Sequence, residues 1–410
     1  VTTNATAASD LYDFTEPFKA PQGSAIRELF KYLSRPGMIS FAGGYPSKDL
    51  FDRAGIGRAM EEAYRADPIA CLQYGDTAGA PALRRAIVRL MNDRSVAREI
   101  DDLIVTTGSQ QGLDLLIKIL VAPGDAVLIE EPAYPAAIQA LRLAGAKLIP
   151  VRTDAQGIDV DALTEQLEAL DPAVRPKLLY TVPTFANPTG TTLPVERREA
   201  LARLAMRFRF VLIEDDPYGE LRFTGDPVKP IIALADAIPG ARDWVVYFGS
   251  LSKIVAPGLR IGWSIASPAI TRRMLVAKQT SDLCTSPLAQ ETARFYLESG
   301  RLAEHVPVIV KAYKKRYEAL SSALRQFVPD DIEYVVPQGG MFVWARLKGD
   351  RLAADVLKRA IEQNVIYVPG PAFYVHNADE SSMRLSFAAA PGEAEVFEGV
   401  RRLKLALASR

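Results

Sequence analysis

Cysteine and histidine are almost missing: the 410 residues hold two of each, Cys71, Cys284, His305 and His376. Two cysteines are too few for a disulfide framework and two histidines leave little for a metal site, so all four read as packing or surface residues. Net charge is missing too. Lys+Arg and Asp+Glu number 49 each, which leaves no electrostatic footprint for nucleic acid or an anionic membrane. No apolar run approaches the ~18 residues of a membrane span, and the opening Val1-Thr2-Thr3-Asn4 lacks the basic and apolar regions of a signal peptide. Neither GxGxxG nor GxxxxGK(S/T) occurs, which argues against dinucleotides and nucleoside triphosphates. The expectation left standing is a cytoplasmic protein of two domains, acting on small molecules.

What is present is a regular succession of apolar, β-rich runs. Ile104 to Thr107, Ala126 to Ile129, Lys147 to Val151, Leu178 to Val182, Phe210 to Ile213, Trp244 to Phe248 and Ile261 to Ala266 alternate mostly with helix-like segments. Runs without polar alternation are covered on both faces, which predicts an α/β domain around a mostly parallel, seven-stranded sheet flanked by helices. Before them, residues 1 to about 20 carry no periodicity. A short helix is expected from Ser24 to Leu33, a strand from Ile39 to Ala42 ending in Gly43-Gly44-Tyr45-Pro46, and an amphipathic helix from Pro81 to Met91. After them, a helix-rich stretch from Ile270 to about Phe327 is expected to break near Ser286-Pro287 and Val306-Pro307. A smaller α+β unit follows, with a closing helix from Pro391.

In an open α/β sheet ligands sit beyond the strand ends, so the loops after these strands are where chemistry is sought. Ser250-Leu251-Ser252-Lys253 lies between two apolar runs. Lost hydration there favours the neutral amine that a Schiff-base lysine needs. Arg260 follows seven residues on, and two hydroxyls, a lysine and an arginine suit an anionic carbonyl compound. Thr107-Gly108-Ser109-Gln110 opens a helix whose unpaired N–H groups suit a phosphate. Tyr134 can stack on a flat ring. Asn187, in Asn187-Pro188, can donate to a ring hydroxyl, and the dipeptide invites a cis bond. Asp215, in Glu214-Asp215-Asp216-Pro217-Tyr218, is costly unless paired, and a protonated pyridine nitrogen is a fitting partner. The Ser-x-x-Lys motif also serves as the nucleophile of penicillin-recognising enzymes, but their Ser-Asp-Asn and Lys-Thr-Gly partners are missing.

Taken in order, these stretches resemble the class I aminotransferases of fold type I, with Ser250-Leu251-Ser252-Lys253 and Gly258-Leu259-Arg260-Ile261-Gly262-Trp263 matching the family's lysine loop. The resemblance covers most of the chain. It implies pyridoxal 5'-phosphate on Lys253, Asp215 on the pyridine nitrogen, Asn187 and Tyr218 on the 3'-oxygen, and Tyr134 stacked on the ring. Ser109, Gln110, Ser250, Ser252 and Arg260 hold the phosphate, joined by Tyr74 from the other subunit of a homodimer. Arg384 takes the substrate α-carboxylate, and Asn187 and Gly44 are implied to bind substrate as well. The implied domains are 1–60 as arm and first part of a small domain, 61–295 as the large cofactor domain, and 296–410 as the rest of the small domain. The implied reaction is ping-pong transamination between an amino acid and a 2-oxo acid, with Lys253 moving the proton.

The segment Gly23-Ser24-Ala25-Ile26-Arg27-Glu28-Leu29-Phe30, followed by Phe41 to Pro46, resembles the branch of 2-aminoadipate and kynurenine aminotransferases. There an arginine at the position of Arg27 meets a distal carboxylate, and Tyr45 and Phe342 are expected to line the pocket. Tyr45 stands where that branch commonly has leucine. Two other readings remain open on the same fold: a β-lyase or decarboxylase, and the effector-sensing domain of a transcription regulator. The latter needs a DNA-binding domain, for which the residues before Gly43 are too few.

Overall fold

A computed structural model describes residues 12–19, 23, 25–171, 173–389 and 392–408. The chain's strands are β1 (Ile39–Ser40), β2 (Leu103–Thr106), β3 (Ala126–Glu131), β4 (Lys147–Asp154), β5 (Gly157–Ile158), β6 (Leu178–Thr181), β7 (Val211–Asp215), β8 (Val245–Ser250), β9 (Gly262–Ile265), β10 (Ile332–Tyr334), β11 (Phe342–Leu347), β12 (Val365–Ile366), β13 (Val368–Pro369) and β14 (Ser382–Ser386). Among the described residues the main sheet runs β2-β9-β8-β7-β6-β3-β4-β5. The five strands β4, β3, β6, β7 and β8 are parallel, while β9 runs antiparallel to both β8 and β2. The seven expected strands are all present, and the sheet has an eighth. β5 is two residues long and folds back on the end of β4 after a turn in which Gly157 takes φ +92°, a conformation that a glycine adopts without a Cβ clash.

β2, β6, β7, β8 and β9 are buried at every position, because helices cover both faces. Aliphatic side chains thereby leave water along the whole strand, each contributing about 1.5–3 kcal/mol. The five parallel strands end together, and their loops converge on one edge of the sheet.

A second sheet, β10-β11-β14-β13, is antiparallel throughout. β1 pairs in parallel with β12, so the chain around residue 40 lies beside the C-terminal part. Two expectations are corrected here. The stretch from Ser24 to Leu33 is an α-turn, Ala25–Glu28, continued as a 3-10 helix, Leu29–Tyr32, with Ser24 outside the described residues. Pro307 does not break the chain, since it lies inside the helix Arg301–Phe327. The break falls at Gly300, whose φ of +77° ends the helix Pro287–Glu298 in a left-handed turn. The break at Ser286-Pro287 stands where expected, with the Ser286 hydroxyl capping Ala289 N–H. The expected start of the last helix, Pro391, lies outside the described residues; the helix itself is Glu393–Ala408.

Candidate active site

β7 delivers Asp215 as its last residue, buried inside the protein. Burial pushes its carboxyl up to about 6, opposed by a hydrogen bond from Tyr180, the Ser109 hydroxyl and the Lys253 charge, while Asp216 pushes the same way as burial. Tyr180 Oη donates to Asp215 Oδ2 at 2.6 Å. The other oxygen, Oδ1, is buried without a partner. A buried acceptor in that state costs about 1–3 kcal/mol until a donor arrives, so the site is built for one more N–H.

The loop after β8 delivers Lys253. Its Nζ donates to the Gly44 carbonyl at 3.0 Å, and burial, with Arg384 and Arg260 nearby, lowers its pKa from 10.5 to about 8 despite Asp215. The same loop folds on itself: Ser252 N–H donates to Ser250 Oγ at 3.1 Å, and Ser250 Oγ donates to Ser252 Oγ at 2.9 Å. Arg260 has a left-handed backbone, φ +53°, and its Nη2 donates to the Thr107 carbonyl at 3.1 Å.

That contact joins the lysine loop to the start of the helix Ser109–Leu120, which carries Ser109 and Gln110. The two pieces approach so closely that a Cβ on Gly262 would lie 2.6 Å from both Gly108 C and Ser109 N. Only glycine leaves this room. Gln111, which the sequence reading did not single out, fixes the turn. Its Oε1 accepts from Thr107 N–H (2.8 Å) and Lys278 Nζ (2.9 Å), and its Nε2 donates to Asp282 (2.6 Å). No sequence signal marked it: its partner Lys278 looks like any helical lysine in the sequence, and only the fold buries that side chain among Asp282, Gln111 and Thr285.

Arg384 leaves β14 with 1 % exposure. Its Nη1 donates to Asn187 Oδ1 and its Nη2 to the Ala42 carbonyl, both at 2.8 Å, and Nε is buried without a partner. The guanidinium lies 4.2 Å from the Phe342 ring centre and 5.1 Å from that of Phe373. Both partners are neutral oxygens, so the charge is uncompensated, and burial lowers its pKa to about 10. An anion is the missing partner. A Cβ on Gly44 would stand 3.7 Å from the Phe342 ring and 3.8 Å from Arg384 Nη2, so the backbone there faces the same space. Phe342 is thus the support beneath Arg384 and also meets the Tyr218 ring edge-on at 5.9 Å.

Tyr218 is buried, and burial raises its pKa well above the usual phenol value, a rise eased by a hydrogen bond with Asn187. The Asn187-Pro188 bond is cis, and so is Glu131-Pro132, just before Tyr134. Tyr134 precedes the helix Pro135–Leu143, and burial and the Asp215 charge raise its pKa.

Three expected residues stand apart. Tyr74 is 78 % exposed, after the helix Pro68–Leu72, and faces solvent in the single chain. Arg27 is exposed on its α-turn, near enough for its charge to act on Tyr134. Tyr45, 55 % exposed, packs against Phe30 at 5.4 Å. The N-terminal segment therefore covers one side of the site.

Pyridoxal 5'-phosphate fits these residues on three counts. The orphaned Asp215 oxygen awaits a ring N–H, burial brings the Lys253 amine toward its neutral form, and glycines at 108 and 262 let backbone N–H groups and Arg260 meet in one cradle. Residues 48–403 match the family described as aminotransferase class I and II. An aromatic-amino-acid aminotransferase of Thermococcus litoralis is 40 % identical over 392 residues, 95 % of this chain and 93 % of its own. Among solved structures, a kynurenine aminotransferase of Pyrococcus horikoshii in complex with PMP superposes with a TM-score of 0.92 at 38 % identity, covering 98 % of each chain. An alpha-aminoadipate aminotransferase of Thermus thermophilus, complexed with N-(5'-phosphopyridoxyl)-L-leucine, gives 0.87 at 36 % identity over 96 % of this chain and 97 % of the other. With its half-buried lysine beside an unpaired aspartate oxygen, and with relatives matched over nearly its whole length, the chain belongs to the class I and II aminotransferases, enzymes of fold type I that use pyridoxal 5'-phosphate.

Proposed function

We propose that this aminotransferase passes an amino group between glutamate or 2-oxoglutarate on one side and 2-aminoadipate, an aromatic or an aliphatic amino acid on the other, as a homodimer. The observation that carries the reading is the buried, uncompensated Arg384 beside the lowered-pKa Lys253. An α-amino acid brings a carboxylate for the first and an α-proton for the second. Bound pyridoxal 5'-phosphate supplies a carbonyl for the amino group and a ring that takes up electrons from the α-carbon.

Arg384 binds and orients the α-carboxylate through its planar fork, held still by Asn187 and Ala42. Lys253, once its amine is free and neutral, takes the proton from the α-carbon and can return it elsewhere. Asp215, mostly ionised at neutral pH, would hold the protonated ring nitrogen with its free oxygen. Tyr218 and Asn187 form a pair of hydrogen-bonding groups on the Arg384 side of the site. Tyr74 supports the dimer reading: a large aromatic at the tip of a loop, bare in the single chain, belongs to an interface more readily than to solvent.

Arg27 carries the substrate choice. It is an exposed cation of the covering segment, placed to meet a distal carboxylate and to swing aside for an apolar side chain, whereas Lys31 of the same segment lies over the Tyr32 ring. Such a charge-assisted contact contributes ~1.5–3 kcal/mol. Arg27→Ala should therefore lower kcat/KM for 2-oxoglutarate roughly ten- to a hundredfold while sparing the half-reaction of an aromatic donor. Equal losses for both, or none for either, would show that Arg27 is not the selector. Pyruvate released from a cysteine conjugate without a 2-oxo acid acceptor would instead mark a β-lyase.

A further inference from the structure

Tyr180 is the one aromatic residue of β6, in a strand where an aliphatic side chain would serve the core as well. Leu178, Leu179 and Thr181 around it are buried, and so is its phenol. A buried hydroxyl is costly unless bonded, so its partner is informative. In the sheet register Tyr180 stands opposite Ile213 of β7. Side chains alternate along a strand, so Tyr180, Ile213 and Asp215 leave the sheet on the same face. The diagonal from Tyr180 to Asp215 spans roughly 7–8 Å between backbones, and a tyrosine is long enough to cross it. Its hydroxyl lands on Oδ2 at 2.6 Å, a charge-assisted distance, while Oδ1 is left bare.

We propose that Tyr180 is a positioning residue for the cofactor ring: its hydroxyl ties down one oxygen of Asp215, holds the carboxylate ionised, and turns the other oxygen alone toward the protonated ring nitrogen. The inference rests on the cofactor assignment made above. The groups facing Asp215 come from every element around it: Tyr180 on β6, Asp216 next in chain, Ser109 on its helix, Lys253 on the lysine loop, and Glu130, Tyr134 and Tyr218. Burial raises Glu130 to about 8, so at neutral pH it adds no full charge. Of the groups that lower the Asp215 pKa, Tyr180 is the largest. Removing its donation raises that pKa. Cofactor binding needs the carboxylate, so binding that falls away as pH drops should fall away at a higher pH in the variant.

The test uses the full chain stripped of cofactor, with pyridoxal 5'-phosphate binding followed by fluorescence across about pH 5–9. Tyr180→Phe should weaken binding roughly ten- to a hundredfold and move the acid limb upward. In an Asp215→Asn background the same change should cost about twofold or less, because no carboxylate is left to position. A 1-deaza analogue, carrying carbon in place of the ring nitrogen, should bind parent and Tyr180→Phe alike. Equal losses in both backgrounds, or an equal loss with the analogue, would reduce Tyr180 to packing and overturn the inference. Should Tyr180→Phe not fold, 3-fluorotyrosine in place of Tyr180 keeps the shape and acidifies the phenol. The acid limb must then move downward, and an unmoved limb overturns the inference as well. Failure of the parent protein to bind pyridoxal 5'-phosphate at all would overturn the cofactor assignment itself, a result distinct from these.

Discussion

The titration of Lys253 is open to direct measurement, because the reactive form of an amine is the neutral one. Burial and the two neighbouring arginines bring its pKa from 10.5 to about 8. At pH 7 the neutral fraction is then about one in eleven, against about one in three thousand for an ordinary lysine, a gain of roughly 300-fold. The perturbation is pH, applied to protein stripped of cofactor. The assay is the initial rate at which pyridoxal 5'-phosphate is fixed to Lys253 by cyanoborohydride, read by peptide mass spectrometry. The rate should climb as pH rises through about 8 and flatten above it. Arg384→Gln removes one of the two cations that depress the pKa, so the midpoint should move up. Asp215→Asn removes the anion that opposes them, so the midpoint should move down. A midpoint near 10.5, or label arriving first on another lysine, would refute the reasoning.

Three further outcomes are expected. Mixing Lys253→Ala with Tyr74→Phe subunits should restore some activity, above the average of the two parents, by forming one site with both residues intact; no gain after proven subunit exchange removes Tyr74 from the site. Gly262→Ala puts a methyl 2.6 Å from the backbone atoms Gly108 C and Ser109 N, so it should push the cradle open, lower Tm and weaken inorganic phosphate and cofactor binding about tenfold or more, measured by calorimetry on the folded protein. Asp52 caps the helix Arg53–Ala66 through Gly55 N–H and accepts from Arg301 and Tyr296. Asp52→Ala should cost about 2 kcal/mol in denaturant titrations. Its pKa is lowered to about 2, so the pH-dependent share of that stability is present above about 4 and lost as pH falls toward 2, and Asp52→Asn should abolish that acid limb.

Most of the sheet was legible because β2, β6, β7, β8 and β9 are buried along their whole length and carry the apolar runs that such strands need; β4, expected to be covered on both faces, is half-exposed, with Lys147, Arg152 and Asp154 outward at the side of the sheet that only the short β5 continues. β5 was not legible, since two residues turned back by Gly157 carry no period at all. Pro307 misled for a different reason. Proline lowers the odds of a helix locally, but the helix Arg301–Phe327 buries Ile309, Tyr313, Leu320 and Leu324 along one face, and packing over about seven turns outweighs one missing N–H. Lys253, Asp215 and Asn187 were readable because charged or amide side chains at the ends of apolar strands, or in the loops that follow them, have few bland uses. Their partners were not readable in the same way. Arg384 meets Asn187 across 197 residues and Ala42 across 342, and no spacing rule reaches that far. Tyr180 did leave a signal, a phenol inside a strand that hides everything else, and a demand for its hydrogen-bond partner would have led to Asp215.

Lys253 and Asp215 stand in one site, yet each is left in the state that its task requires. Burial alone would neutralise both, lowering the amine and raising the carboxyl. At Lys253 the surroundings add to burial, since Arg384 and Arg260 repel a third cation and only Asp215 resists. At Asp215 most of them oppose it: a phenol, a serine hydroxyl and the lysine charge hold the carboxyl at about 6, so it remains mostly ionised at neutral pH. The difference is made by donors aimed at the acid and cations placed near the base. A substitution that swapped these neighbours while keeping the burial would leave the packing intact and the chemistry lost.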